Sequence, residues 1–70
     1  MSTSLEQELL AAHERDDQEA LITGYTKAAD AENDVDAACF FLTHAYIFAL
    51  EAGDARAETL RDRLASHGRI

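Results

Sequence analysis

Apolar residues recur along this chain at the spacing of helical faces, and short polar stretches divide them into four segments. In the first segment, Leu5, Leu9 and Ala12 lie at i, i+4 and i+7, which places them on one side of a helix. No segment combines alternation of period two with an enrichment in β-branched residues, as a strand does. The pattern therefore predicts an all-α protein with four short-to-medium helices in a single domain over residues 1–70.

Turn-forming residues fix the approximate ends of these helices. Arg15-Asp16-Asp17 separates the first two, and a polar stretch from Asp30 to Asp34 separates the second from the third. Gly53 followed by Asp54 combines a good helix-ending residue with a good helix-starting residue. We predict helices at about residues 5–13, 17–29, 35–52 and 55–66. Their short connections make neighbours antiparallel, as two stacked helical hairpins or as a small four-helix bundle.

The third helix is the most apolar and is predicted to be the central one. At 100° per residue, Val35, Cys39, Leu42, Tyr46 and Leu50 fall in one sector of it. Phenylalanines widen this apolar surface to more than half of the circumference, so neighbours should contact the helix on several sides. The predicted core consists of Leu9, Leu21, Tyr25, Val35, Leu42, Tyr46, Leu50, Leu60 and Leu64.

A mixed strip on the remaining side of this helix is the candidate binding surface. Phe40 and Ile47 lie seven residues apart in a sector that also carries Thr43 and His44. An exposed apolar pair beside polar side chains is typical of a recognition surface. We predict that these four residues contact a partner, either another protein or a second copy of the chain in a symmetric dimer. The alternative is that the first helix or the chain ends cover the pair.

Part of the sequence resembles the tetratricopeptide repeat. Leu42-Thr43-His44-Ala45-Tyr46 is similar to the L-G-x2-Y core of that family's first helix, with Thr43 in place of glycine and Cys39 in place of tryptophan. Ala20 to Ala28 is similar to the second-helix pattern, although Tyr25 lies one position late and the family's terminal proline is absent. The resemblance implies two hairpins and a protein-binding role rather than an enzyme, with the third helix lining the ligand groove.

The charge of the chain is strongly negative and unevenly distributed. Fourteen acidic residues against six basic ones give a net charge of −8. All of the excess lies in residues 1–36, which hold ten acids and only Arg15 and Lys27 as bases. This surface repels phosphates, so we expect no nucleic-acid binding. It also raises an alternative function, an acidic charge mimic that regulates a basic protein, although solubility alone would explain the charge.

The compartment is predicted from the same composition. Ala37 to Leu50 is the longest apolar stretch, and its fourteen residues fall short of the roughly 20 that a bilayer requires. We expect a buried core helix and no membrane association. The start of the chain lacks the features of a secretory signal, and the single Cys39 cannot form an internal disulfide. A cytoplasmic location is therefore expected.

Candidates for catalysis and metal binding are few. His44 has no second His or Cys three or four residues away, as a metal site on a helix requires. Cys39 lies among apolar neighbours and is expected to be an inert core thiol. Carboxylate pairs such as Asp16 and Asp17 stand at helix starts, where capping accounts for them. We expect no catalytic residue, no metal and no cofactor. A small enzyme or ligand-binding protein with a pocket near His44 is the most distant alternative.

Overall fold

The computed structural model describes the backbone of residues 2–70 and the side chains of residues 4–70. The chain forms α1 (Ser2–Arg15), α2 (Gln18–Ala31), α3 (Val35–Ala52) and α4 (Arg56–Ser66), and residues 2–70 contain no strand. The all-α fold with four helices is thus confirmed. α1 begins three residues earlier than predicted, because no residue among the first few breaks a helix. The other helices agree with the prediction to within two residues at each end.

The helices pack in the order in which they follow one another along the chain. α2 and α3 share the most extensive contact, α4 packs on α3, and α1 packs on α2. The Cα atoms extend over 31 × 28 × 12 Å. The smallest of these dimensions is little more than the separation of about 8–10 Å between two packed helix axes. The molecule is therefore a thin slab, and a slab has too little interior to cover every side of a central helix.

A core cluster joins α2, α3 and α4. Ala45 and Ala49 are fully buried on α3, and their small side chains let the neighbouring helices approach closely. Cys39 is also buried, as expected for a core thiol. The cluster consists of Ile22, Ala29, Cys39, Leu42, Ala45, Ala49, Leu60 and Leu64.

Most of the predicted core residues lie in or beside this cluster. Leu21, Leu42, Leu60 and Leu64 are buried, whereas Leu9, Tyr25 and Tyr46 are half-buried. The prediction is wrong for Val35 and Leu50, which are 47% and 55% exposed.

The two wrong assignments have different causes. For Val35, a helical wheel gives the direction of the side chain but not where the neighbouring helix ends. Arg69, already three residues past the end of α4, reaches Asp36 at the start of α3. Val35 therefore lies beyond the end of α4 and is not covered by it. Leu50 lies at the border of the buried sector, next to the uncovered side of α3.

Two turns of the same hydrogen-bonding pattern close the α1–α2 and α3–α4 hairpins. At the first, the N–H of Asp17 donates to the carbonyl oxygen of Ala12 over 2.9 Å, and Asp16 has a φ of 55°. At the second, the corresponding bond from Asp54 is also 2.9 Å long, and Gly53 has a φ of 65°. This is the arrangement in which a left-handed residue ends a helix and satisfies its last carbonyl groups.

Asp16 occupies a left-handed position that glycine adopts without steric cost. We expect Asp16→Gly to raise the free energy of unfolding by about 0.5–1 kcal/mol, since relief of the left-handed strain exceeds the entropy that glycine adds to the unfolded chain. Urea denaturation measures the change. Asp16→Asn is the matched control, because it removes the same charge and keeps the side chain. If Asp16→Gly destabilises the protein relative to Asp16→Asn, the expectation is wrong.

α1 comes very close to α2 at Gly24. A Cβ atom at this position would lie 2.6 Å from Cδ2 of Leu9 and 3.3 Å from its Cγ. Alanine in a helix interior is more favourable than glycine by about 1 kcal/mol, so an interior glycine needs a reason. The close approach of Leu9 provides it.

Candidate functional site

A line of exposed residues runs along the outward side of α3. Phe40 is 58% exposed and Ile47 is 47% exposed, and Thr43 between them is exposed as well. Neither α1 nor the described chain ends cover the apolar pair, so of the two alternatives left open by the sequence the structure has the exposed one. Leu50 continues the line by three residues. We refer to Phe40, Thr43, Ile47 and Leu50 as the α3 strip.

Exposed apolar side chains are concentrated on this helix. α3 holds four of the six large apolar residues that are exposed in the part of the chain with described side chains. Single exposed apolar residues are normal on protein surfaces, whereas a contiguous group on one element marks a contact surface. The six residues are Leu10, Val35, Phe40, Ile47, Leu50 and Ile70.

A carboxylate stands at each end of the α3 strip. Asp36 lies four residues before Phe40, and Glu51 lies four residues after Ile47. The two acids are 15 residues apart, which corresponds to about 22 Å along a helix. Asp36 forms an ion pair with Arg69, although 80% of its side chain is exposed.

His44 lies at the inner edge of the strip rather than in its line. Its ring stacks on Tyr25 with the ring centroids 5.0 Å apart, and it contacts the ring of Phe40 at 4.6 Å. Its Nδ1 donates a hydrogen bond of 2.9 Å to the carbonyl oxygen of Phe40, since a carbonyl can only accept. The half-buried imidazole therefore supports the ring of Phe40 on the side that faces the core.

An aromatic cluster that the sequence analysis missed connects three helices behind the strip. Tyr25 on α2 is its centre, with ring centroids 5.0–6.2 Å from those of four neighbours. A hydrogen bond of 2.9 Å joins Nε2 of His13 on α1 and the Tyr25 hydroxyl. The only signal in the sequence is that Phe41, His44 and Phe48 share one flank of α3. The cluster consists of His13, Tyr25, Phe40, Phe41, His44 and Phe48.

Most of the cations of the chain are engaged in ion pairs within it. Arg56 on α4 donates to the Thr23 hydroxyl on α2 over 2.9 Å, and Arg63, two turns later, pairs with Asp30 over 2.6 Å. Arg15 and Arg69 also pair with nearby aspartates. Four of the six basic residues are thus paired, so most of the fourteen carboxylates are left without a cation among residues 4–70.

The Arg56–Asp54 ion pair lies at the α3–α4 turn. Hydrogen bonds from the guanidinium and the backbone N–H of Arg56 lower the pKa of Asp54 from 3.8 to about 2. A lowered pKa stabilises the fold above the ordinary pKa of the group. This contribution is therefore present above about pH 4 and is lost as the pH falls towards 2.

One open groove adjoins the strip and a second lies behind it, at Phe41. The first, of about 460 Å³, is lined by Phe40, Thr43, His44, Cys39 and the Asp36–Arg69 pair. The other, about 560 Å³, lies between α1, α2 and α3. The first groove holds a histidine and a thiol, but Cys39 is only 3% exposed, and Nδ1 of His44 already donates to a carbonyl oxygen. Within residues 4–70, no three His, Cys, Asp or Glu side chains are close enough to hold a metal ion.

The hydropathy of α3 bears on what can cover it. The mean hydropathy of its 18 residues is 1.3. By length and composition alone, the helix is long and apolar enough to cross a membrane. The stretch considered in the sequence analysis was shorter, because it excluded the residues around Asp36 and Glu51. A lipid surface is consequently one of the occupants that experiments on the strip have to distinguish.

No protein-family model, curated protein sequence or solved structure matches the chain. The resemblance to the tetratricopeptide repeat therefore stays a prediction from the sequence. The candidate site is defined by its geometry, which consists of the exposed α3 strip, the aromatic cluster behind it and the carboxylates at its ends.

Proposed function

We propose that the protein is a non-enzymatic protein–protein interaction module, a small adaptor that offers the α3 strip to another protein or to a second copy of itself. The observation that carries the proposal is the exposure of Phe40 and Ile47 on the central helix of the fold. Full burial of a large apolar side chain contributes about 1.5–3 kcal/mol. Both residues are about half exposed, so covering them would contribute roughly 1.5–3 kcal/mol in total.

The strip is also held in place before any partner arrives. Phe40 rests on the rings of Phe41 and His44, with centroid distances of 5.5 and 4.6 Å. The opposite side of α3 is anchored in the core by Leu42 and two alanines. Association costs less conformational entropy when the contacting groups are already ordered. These contacts support a docking role for a surface that is apolar and rigid at once.

The test compares Phe40→Ser/Ile47→Ser with Leu10→Ser, a matched control because Leu10 is 61% exposed but lies on α1, away from the strip. Both variants should remain folded. Leu10→Ser should stay within about 1 kcal/mol of wild type, whereas the double variant should lose about 1.5–3 kcal/mol because about half of each removed side chain is buried. A partner captured by the wild-type chain, then identified and purified, should bind Leu10→Ser normally and the double variant at least about tenfold more weakly. Unfolding of the double variant, or unchanged binding, contradicts the proposal.

A second candidate function, an acidic charge mimic that binds a basic protein, is supported by the ion pairs. With four cations already engaged, the net charge of −8 is displayed mainly by carboxylates without a cationic partner. Neutralising Asp16, Asp17 and Glu19 as Asn, Asn and Gln should abolish such binding and spare binding through the strip. Charge-driven capture should also disappear at about 500 mM salt, where screening is nearly complete at these distances.

A further inference from the structure

We infer that the occupant of the α3 strip is a basic amphipathic α-helix of a partner protein, which lies along α3 between Asp36 and Glu51. This inference rests on the proposed function, because it names the chemistry of the partner that the same surface binds. Two independent features of the strip support it, the spacing of its residues and the sign of the charges around it.

The spacing of the strip fits a helix as the occupant. Phe40, Thr43, Ile47 and Leu50 follow one another at intervals of three, four and three residues. These are the intervals at which the side chains of one helix form a seam for another helix packed along it. The seam is one side chain wide, and the small Thr43 at its middle lets a second backbone come close. A single helix fits this shape better than the broad face of a globular domain.

The charges around the strip fit a basic occupant. Asp36 and Glu51 close its two ends about 22 Å apart, and the chain as a whole carries a charge of −8. Among residues 4–70, Asp36 is paired with Arg69 and Glu51 has no cationic partner, while Arg61 lines a groove beside Leu50. A partner helix with Lys or Arg about four turns apart can contact both carboxylates while its apolar side covers Phe40 and Ile47. Such complementarity favours encounter and fixes the register of the complex.

A second copy of the chain fits the same surface less well. In an antiparallel pair about Thr43, Phe40 of one copy would meet Ile47 of the other, which is favourable. The same alignment brings the Asp36–Arg69 pair of each copy near Glu51 of the other, so each contact holds two carboxylates and one cation, and it joins two chains that each carry a charge of −8. Like charges placed opposite one another oppose association. The structure therefore favours a basic partner over a copy of itself.

Arg69 already shows the recognition expected at one end. Its guanidinium pairs with Asp36, and both side chains are substantially exposed, 40% for Arg69 and 80% for Asp36. An exposed ion pair contributes little to stability, so an incoming guanidinium can replace Arg69 at small cost. Arg69→Gln should accordingly strengthen the binding of a basic helix by about twofold or more at low salt.

The experiment uses the full chain and a labelled helical peptide of about 18 residues, with Leu at the seam spacing and Arg placed about 15 residues apart. Its isomer has the same composition with the Arg residues moved to the opposite face, and an acidic version has Glu in place of Arg. Fluorescence anisotropy at about 50 and about 500 mM salt measures affinity. We expect the isomer to bind at least about fivefold and the acidic peptide at least about tenfold more weakly.

Variants of the chain test the same inference from the other side. Phe40→Ser/Ile47→Ser should weaken binding of the basic peptide at least about tenfold. Asp36→Asn/Glu51→Gln should weaken it severalfold and reduce its dependence on salt, because the apolar contact remains. Equal binding of the basic and acidic peptides, or no binding of any peptide, overturns the inference.

Two further outcomes separate this inference from the proposed function. If sedimentation shows a dimer that the double variant loses, while the basic peptide does not bind, the occupant is a second copy. The inference then fails and the proposed function stands. The second outcome is that neutral phosphatidylcholine vesicles bind the wild-type chain but not the double variant, and that no peptide binds. The occupant is then a lipid surface. Both the inference and the proposed function then fail.

Discussion

Leu42→Ala is expected to lower the free energy of unfolding by about 3 kcal/mol, the largest effect of any single change considered for this fold. Leu42 is 1% exposed and is among the four largest fully buried side chains of residues 4–70, with Leu21, Ile22 and Leu64. A domain of this size has a total stability of about 4–10 kcal/mol. The core around it is rich in alanine, and these short side chains cannot move to fill the cavity that the substitution leaves. Urea denaturation followed by far-UV circular dichroism measures the loss.

Leu50→Ala is the matched control for this result. It removes the same atoms from the same helix, but Leu50 is 55% exposed. We expect a loss of less than about 1 kcal/mol, because most of the removed surface is already in contact with water. Equal losses at positions 42 and 50 would mean that Leu50 is a core residue after all, and the extent of the exposed strip would have to be redrawn.

Tyr25→Ala is expected to lower the free energy of unfolding by about 2–3 kcal/mol and to release α1 from the rest of the fold. Its ring contacts those of His13, Phe41, His44 and Phe48, so one truncation removes contacts with both α1 and α3. The expected loss is below that of a fully buried aromatic because Tyr25 is only half-buried. Backbone amides of α1 should exchange with solvent much faster, whereas those of α3 and α4 should change only by the global loss of stability.

Tyr25→Phe separates the ring contacts from the hydroxyl. It keeps the aromatic packing and removes only the hydrogen bond of 2.9 Å to His13. We expect a cost of about 1 kcal/mol or less, and protection of α1 close to that of wild type. If Tyr25→Phe frees α1 as fully as Tyr25→Ala does, the hydroxyl rather than the ring cluster holds α1 in place.

The four helices could be predicted from the sequence because the signals that define them are local. Periodic apolar residues, a glycine after Ala52 and aspartates at helix starts act within a few residues of one another. The start of α2 shows the limit of such signals. Asp17 rather than Asp16 accepts the capping hydrogen bond from Ala20, since Asp16 has become the left-handed end of α1. Two adjacent aspartates cannot be told apart until the path of the chain between the helices is known.

The candidate site could be predicted only in part. Phe40 and Ile47 share a sector with Asp36 and Glu51, and that mixture of apolar and charged residues indicated exposure. The aromatic cluster depends on the crossing and register of three helices, which no local pattern contains. His44 is an example. The helical wheel places it on the polar side of α3, and nothing in that position indicates that its ring stacks on Tyr25 of α2.

The contact between Gly24 and Leu9 links two positions that are 15 residues apart in the sequence. A side chain at position 24 of α2 would contact the end of the Leu9 side chain on α1 before any other group, because its Cβ atom would lie 2.6 Å from Cδ2 of Leu9. A β-carbon at position 24 therefore displaces the end of the Leu9 side chain, which has room to move because Leu9 also lines the open groove between α1, α2 and α3. The two positions are therefore coupled, and related sequences with a larger residue at position 24 should more often carry a smaller one at position 9.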